Sequence, residues 1–143
     1  MLDGIRRLVS SASAVFGSAP VRDYYFLLQD GASDALEHHA SLTMGLPSSR
    51  LARDPHASLP ELAHEFFHTW NLVAIHPDSY GALSYQPAVP TGGLWMGEGV
   101  TLYYADLLLR RAGLDDSASS RLAHLAELLT RYYAAPWRTR VSP

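Results

Sequence analysis

The stretch His64-Glu65-Phe66-Phe67-His68 constrains the fold of this chain more than any other. Two imidazoles four residues apart share a face only if the segment is helical, and on a helix both rings can reach one metal ion. Glu65 then stands beside the first imidazole, in the position of a general base acting on a metal-bound water. The flanks predict the helix. Ser58-Leu59-Pro60-Glu61 reads as a capping box, with Ser58 as N-cap, Pro60 in the first turn and Glu61 reaching back. Leu62, Ala63, Phe66, Phe67 and Trp70 supply an apolar face, and Asn71 and His76-Pro77-Asp78 mark the exit. His, Glu and His on so apolar a helix require partners or a metal, because unpaired polar groups are costly to desolvate.

A catalytic zinc takes three protein ligands and keeps a fourth position open. The chain contains no cysteine, so its ligands have to be imidazoles or carboxylates. Glu98 offers the third. It lies in the early turns of a second predicted helix that runs from Leu94 to Ala112 and stops at Gly113. It also sits between Gly97 and Gly99, which would let another backbone approach closely. Zinc-bound imidazoles normally donate their other N–H to a carboxylate or carbonyl, and Asp106 and Asn71 are the candidates for that support. Hydrolysis through an oxyanion needs a second electrophile. Tyr103, Tyr104, Tyr132 and Tyr133 are all available, and the sequence singles out none of them.

Three linked motifs carry a resemblance: His-Glu-Phe-Phe-His-Thr-Trp-Asn from His64 to Asn71, Leu-Trp-x-x-Glu-Gly-x-Thr-x-Tyr-Tyr from Leu94 to Tyr104, and Arg-Ala-Gly-Leu from Arg111 to Leu114. Upstream, Phe16-Gly17, the run from Tyr24 to Leu28, and Leu36-Glu37-His38 with Ser41 extend it. Together they resemble the glycyl aminopeptidase family, zinc metallopeptidases of the gluzincin type. The resemblance implies an α+β fold with a thermolysin-like catalytic core, in which a small antiparallel sheet packs with the motif-bearing helices. It implies His64, His68 and Glu98 as zinc ligands and Glu65 as the base. It also implies Glu37 as a contact to the free amino terminus of a peptide substrate, with a small residue at that terminus. The chain departs from the family pattern in three places. Asp34-Ala35 stands where the family has Gly-Gly, Leu72 to Pro77 lacks the usual basic run, and Leu102 occupies the position where thermolysin-like sites often carry an acid. Family members are several times longer, so residues 1–143 are expected to form a single catalytic core without the amino-terminal β domain or the PDZ domain. A zinc-binding module without turnover is the rival reading.

The remaining sequence fits one globular domain, with 48% hydrophobic residues. A net charge of −3 and no basic stripe argue against a nucleic-acid partner. No apolar run reaches about 18 residues, so no membrane span is expected. The amino terminus has no signal-peptide pattern, which leaves the compartment unassigned. Ile5, Leu8, Ala12 and Phe16 predict a first helix ended by Gly17. Val21–Gln29 and Leu36–Met44 read as two strands around an Asp30-Gly31 turn, which would put His38 and His39 on opposite faces of one strand. Gly45–Ala57 reads as loop, and Tyr80–Gly93 as a loop carrying substrate contacts. Ser117 caps a last helix with Leu122, Leu125, Leu128 and Leu129 on one stripe, ended by Pro136-Trp137-Arg138. Phe66, Phe67, Trp70 and Trp95 are expected in the core, and His56, His76 and His124 at the surface.

Overall fold

The computed structural model describes residues 1–78, 92–115 and 117–140. The loop expected to carry substrate contacts lies outside the described residues, apart from its last two positions. Among the described residues the fold is α+β, with five α-helices and one three-stranded sheet. None of these helices is long and apolar enough to cross a membrane.

Helix α1, Leu2–Phe16, buries Ile5, Leu8 and Ala12 at helical spacing and stops at Gly17, whose φ of 84° favours a residue without a Cβ. The sheet follows, with β1 at Tyr25–Gln29, β2 at Ala35–Glu37 and β3 at Ser41–Gly45. It is mixed rather than antiparallel, because β3 lies between the other two, parallel to β1 and antiparallel to β2. The predicted second strand is in fact two strands broken at His38-His39-Ala40. His38 and His39 therefore lie in a turn and not on two faces of a strand, and the His38 ring hydrogen-bonds Thr43 Oγ1 at 3.2 Å. Burial explains the order. Leu42 and Met44 of β3 are fully buried, whereas β1 exposes Tyr25 and Leu27, so the strand with the strongest inward face takes the centre.

Helix α2, Ser48–Arg53, replaces part of the expected loop. It buries no residue, and its first N–H is accepted by Asp30 Oδ1 at 2.9 Å, a partner eighteen positions back that no local pattern reveals. Helix α3, Leu59–Phe67, carries the motif with Pro60 in its first turn. The capping box does not form. The backbone of Ser58 is already helical and its hydroxyl makes no cap bond. Helix α3 also ends at Phe67, so His68 sits at its C-cap and Trp70 lies beyond it.

The segment expected to form one helix from Leu94 opens as a π-helical turn, Trp95–Val100, and continues as α4, Thr101–Arg111, stopping before Gly113 with φ 62°. Helix α5, Ala118–Ala134, starts with Ser117 Oγ accepting the Ser120 N–H, as expected. The core joins Leu8 of α1, Leu42 and Met44 of β3, Leu62 and Phe66 of α3, and Leu108 of α4. Phe16 packs on Phe67, Trp70 and Tyr104 with ring centroids 5.2–5.3 Å apart. Such pairs each contribute about 0.5–1.5 kcal/mol beyond their buried area. Trp95 is 58% exposed, contrary to its expected place in the core, because the π-turn carries it on the outer side.

Candidate functional site

On α3 the apolar residues Leu62, Ala63, Phe66 and Phe67 face the core, and His64, Glu65 and His68 occupy the remaining face. His64 Nε2 and His68 Nε2 lie 3.1 Å apart. Glu98 Oε2, delivered by the π-turn, is 3.1 Å from the first and 3.8 Å from the second. The three predicted ligand side chains thus converge, with His68 buried, His64 mostly covered and Glu98 half exposed. A mouth open to solvent on the Glu98 side suits a reactive centre better than a closed structural one.

The tautomer of His68 follows from its partners. Its Nδ1 lies 3.1 Å from the Asn71 carbonyl oxygen, which can only accept, so Nδ1 carries the hydrogen and Nε2 presents a lone pair toward His64 and Glu98. Thr101 Oγ1, 3.4 Å from the same Nδ1, stands close behind. Asn71, one of the two candidates for support, contacts His68 through its main-chain carbonyl. Asp106 does not. It turns to the other side of α4 and pairs with His124 Nδ1 at 3.1 Å. The sequence reading missed Thr101, although the helical spacing of three residues after Glu98 would have pointed to it.

Glu37 reaches the site through strand register. It pairs with Leu42 across the β2–β3 ladder, and directly opposed residues share a sheet face. Leu42 is buried toward the helices, so Glu37 points the same way. Ligand atoms of Glu37, Glu65 and His68 lie within 4.8 Å of one another, and those of His64, His68 and Glu98 form a second such group.

This crowding shifts the titrations. Burial pushes the Glu65 carboxyl up to about 7; the neighbouring His64 opposes the rise, and repulsion from Glu37 and Glu98 adds to it. Burial would lower His64, but the Glu98 hydrogen bond and the surrounding carboxylates outweigh it and raise its pKa. His68 moves down because burial dominates. The His64 hydrogen bond holds Glu98 below its ordinary value. A carboxyl poised near neutrality beside two imidazoles can take up and release a proton under mild conditions.

The close backbone approach expected at the two glycines occurs at neither, and Gly97 meets a side chain instead. A Cβ on Gly97 would come 2.9 Å from Leu72 Cδ1, whereas Gly99 faces open space. Tyr104 packs into the core against Phe16 and Phe67, and Tyr103 faces the Arg121 guanidinium, so neither ring turns to the His pair.

No curated protein sequence matches the chain. Among solved structures, an aminopeptidase N family protein from Idiomarina loihiensis matches with a TM-score of 0.68 and 25% identity over 78% of this chain. The chain spans about a fifth of that protein's length, 21%. The sequence profile of the M61 glycyl aminopeptidases matches residues 58–143, a stretch that contains His64, Glu65, His68 and Glu98 but not Glu37. That match covers more than half of the chain and the helices that bring these side chains together, and by it the chain belongs to the M61 glycyl aminopeptidase family.

Proposed function

We propose that this chain is the catalytic core of a zinc-dependent aminopeptidase with a gluzincin, thermolysin-like arrangement. In this reading His64, His68 and Glu98 hold the metal and Glu65 is the general base. The observation that carries it is the convergence of two imidazole nitrogens and one carboxylate oxygen within 3.8 Å, with a fourth ionisable group, Glu65, on the same helix. Two nitrogens and one oxygen are a donor set that suits catalytic zinc. When bound, zinc supplies a Lewis acid that polarises a carbonyl and brings the pKa of water down to about 7. The chain's own groups do the rest. Asn71 fixes the His68 tautomer, so that Nε2 is free to ligate. The Glu65 carboxylate takes a proton from the attacking water and returns it to the leaving amine. Glu37, on the sheet edge beside Glu65, accepts the ammonium of the substrate's first residue, which restricts cleavage to the amino end because an internal residue offers no charge there. Family membership supports small residues at that end.

A second reading, zinc binding without turnover, is favoured by the two tyrosines that follow Glu98 in sequence. Tyr104 is committed to the core and Tyr103 to Arg121, so neither supplies the second electrophile. Elemental analysis and hydrolysis of a glycyl or alanyl anilide separate the readings. The expected result is about one zinc per chain, lost in Glu98→Ala, with turnover that chelation abolishes. Glu65→Gln should keep its zinc and lose about 10²–10⁴-fold in rate. Zinc without hydrolysis would favour the second reading, and no zinc in folded protein would end both.

A further inference from the structure

The carboxylate that faces the two imidazoles comes from a helix whose register is irregular at that point. In a regular α-helix each residue turns about 100° around the axis, so a one-residue change of register at Glu98 would swing its side chain away from His64 and His68. The core face of α4 leaves no freedom to compensate, since Thr101, Ala105 and Leu108 are buried. What decides the aim of Glu98 is therefore whatever holds Trp95–Val100 in its wider π winding.

Among the described residues, the segment after α3 makes side-chain hydrogen bonds to this turn. After α3 ends, Asn71 lies buried with its side-chain amide 2.9 Å from the Met96 carbonyl, 3.1 Å from the Gly97 carbonyl and 3.0 Å from Thr101 Oγ1. Thr101 Oγ1 in turn donates to the Gly97 carbonyl at 2.6 Å. Next in sequence, Leu72 adopts φ 155°, a backbone angle that residues with a side chain rarely take, and its Cδ1 would stand 2.9 Å from a Cβ placed on Gly97. Strain of this kind persists only where the surroundings hold it: before Leu72 the Asn71 amide is fixed on the two π-turn carbonyls, and after it the Val73 N–H donates to the His68 carbonyl at 3.0 Å.

We propose that Asn71 and Leu72 form a latch that locks the π-turn in register and aims Glu98 at the His64–His68 pair. They are positioning residues, and Asn71 thereby has two separable tasks: its carbonyl orients His68, and its amide orients Glu98. The proposal rests on the reading of His64, His68 and Glu98 as a metal-ligand set.

The test is zinc affinity, by competition with a chromophoric chelator, in wild type, Asn71→Asp, Glu98→Ala and the double variant, with the Co2+ absorption spectrum as a second readout. Asn71→Asp keeps the shape and the main-chain carbonyl but turns an oxygen toward two carbonyls. It should weaken zinc binding about 10–100-fold and give a Co2+ spectrum like that of Glu98→Ala. In the Glu98→Ala background it should change affinity by no more than about twofold, because there is no ligand left to aim. Equal losses in both backgrounds, or wild-type affinity in Asn71→Asp, would overturn the latch while leaving the metal site standing. A wild type that binds neither metal would overturn the proposed function and the latch together. If Asn71→Asp does not fold, Thr101→Val removes one anchor of the amide and is expected to show the same dependence on Glu98; its absence overturns the proposal equally.

Discussion

Glu65 is where residue-level chemistry has its most measurable consequence. In the metal-free protein its carboxyl is held up at about 7 against an ordinary 4.5, mainly by burial. Over that interval the folded state keeps a proton that the unfolded chain has released, so stability falls as pH rises from about 4.5 through about 7. Thermal melts of chelator-treated protein should show this decline. Glu65→Gln should flatten it, with a higher Tm than wild type above about pH 7 and convergence below about pH 4.5. An unchanged pH profile in the variant would show that Glu65 titrates normally. Bound zinc should reduce the effect, since a nearby cation favours the carboxylate. Asp34 shows how much a single residue can conceal. It stands where the family pattern has glycine and takes φ 67°, the left-handed conformation that glycine supplies and Asp tolerates better than most residues. The backbone geometry of the turn before Glu37 can thus be held without the glycine pair.

Among the elements, the sheet is where local reading and observed topology part. Strand-forming residues and the Asp30-Gly31 turn located two strands, but β3 took the centre because Leu42 and Met44 join the core that α3 covers, a fact about tertiary packing. The end of β3 is correspondingly tight. A Cβ on Gly45 would fall on the Ala32 carbonyl and within 2.6 Å of the Ser33 nitrogen, both backbone atoms. Gly45→Ala should therefore cost about 1–3 kcal/mol in denaturant unfolding. Gly99→Ala, with open space around it, should stay within about 0.5 kcal/mol. Equal effects at the two positions would mean that the turn before β2 yields easily. The motif helix was legible because its spacing is intrinsic to one element. Its cap was not, because Ser58, though at the N-cap position, is buried with a helical backbone and its hydroxyl makes no cap bond.

At the scale of the whole molecule, α5 is weakly joined to the rest. It buries no residue and meets α4 through the His124–Asp106 pair and through Arg121, 5.5 Å over the Tyr103 ring. Cavities of about 420 and 440 Å³ lie along this junction, the first lined by His56, Leu109 and His124, the second by Leu102, Leu125 and Leu128. The apolar stripe read from the sequence exists, yet Leu122, Leu125 and Leu129 remain 65%, 49% and 46% exposed. Replacing all three with Gln should change unfolding free energy by no more than about 0.5 kcal/mol each and leave zinc affinity unchanged. A loss of several kcal/mol in that triple variant would show the stripe to be covered in solution.

What the sequence determined by itself is what a single turn of chain can encode. His64 and His68 share a face because four residues make about one helical turn, α1 and α4 stop at Gly17 and Gly113 because those positions need positive φ, and Ser117 caps α5 because its hydroxyl reaches the N–H three residues on. The tertiary structure alone decided the remainder. It placed Glu37 beside Glu65 through the register of β2 on β3, turned Asp106 to His124, and set Glu98 against the imidazoles through a π-turn gripped by Asn71. Each of these depends on packing or hydrogen bonding between different elements, and no local periodicity records which buried carbonyls an amide elsewhere in the chain will find.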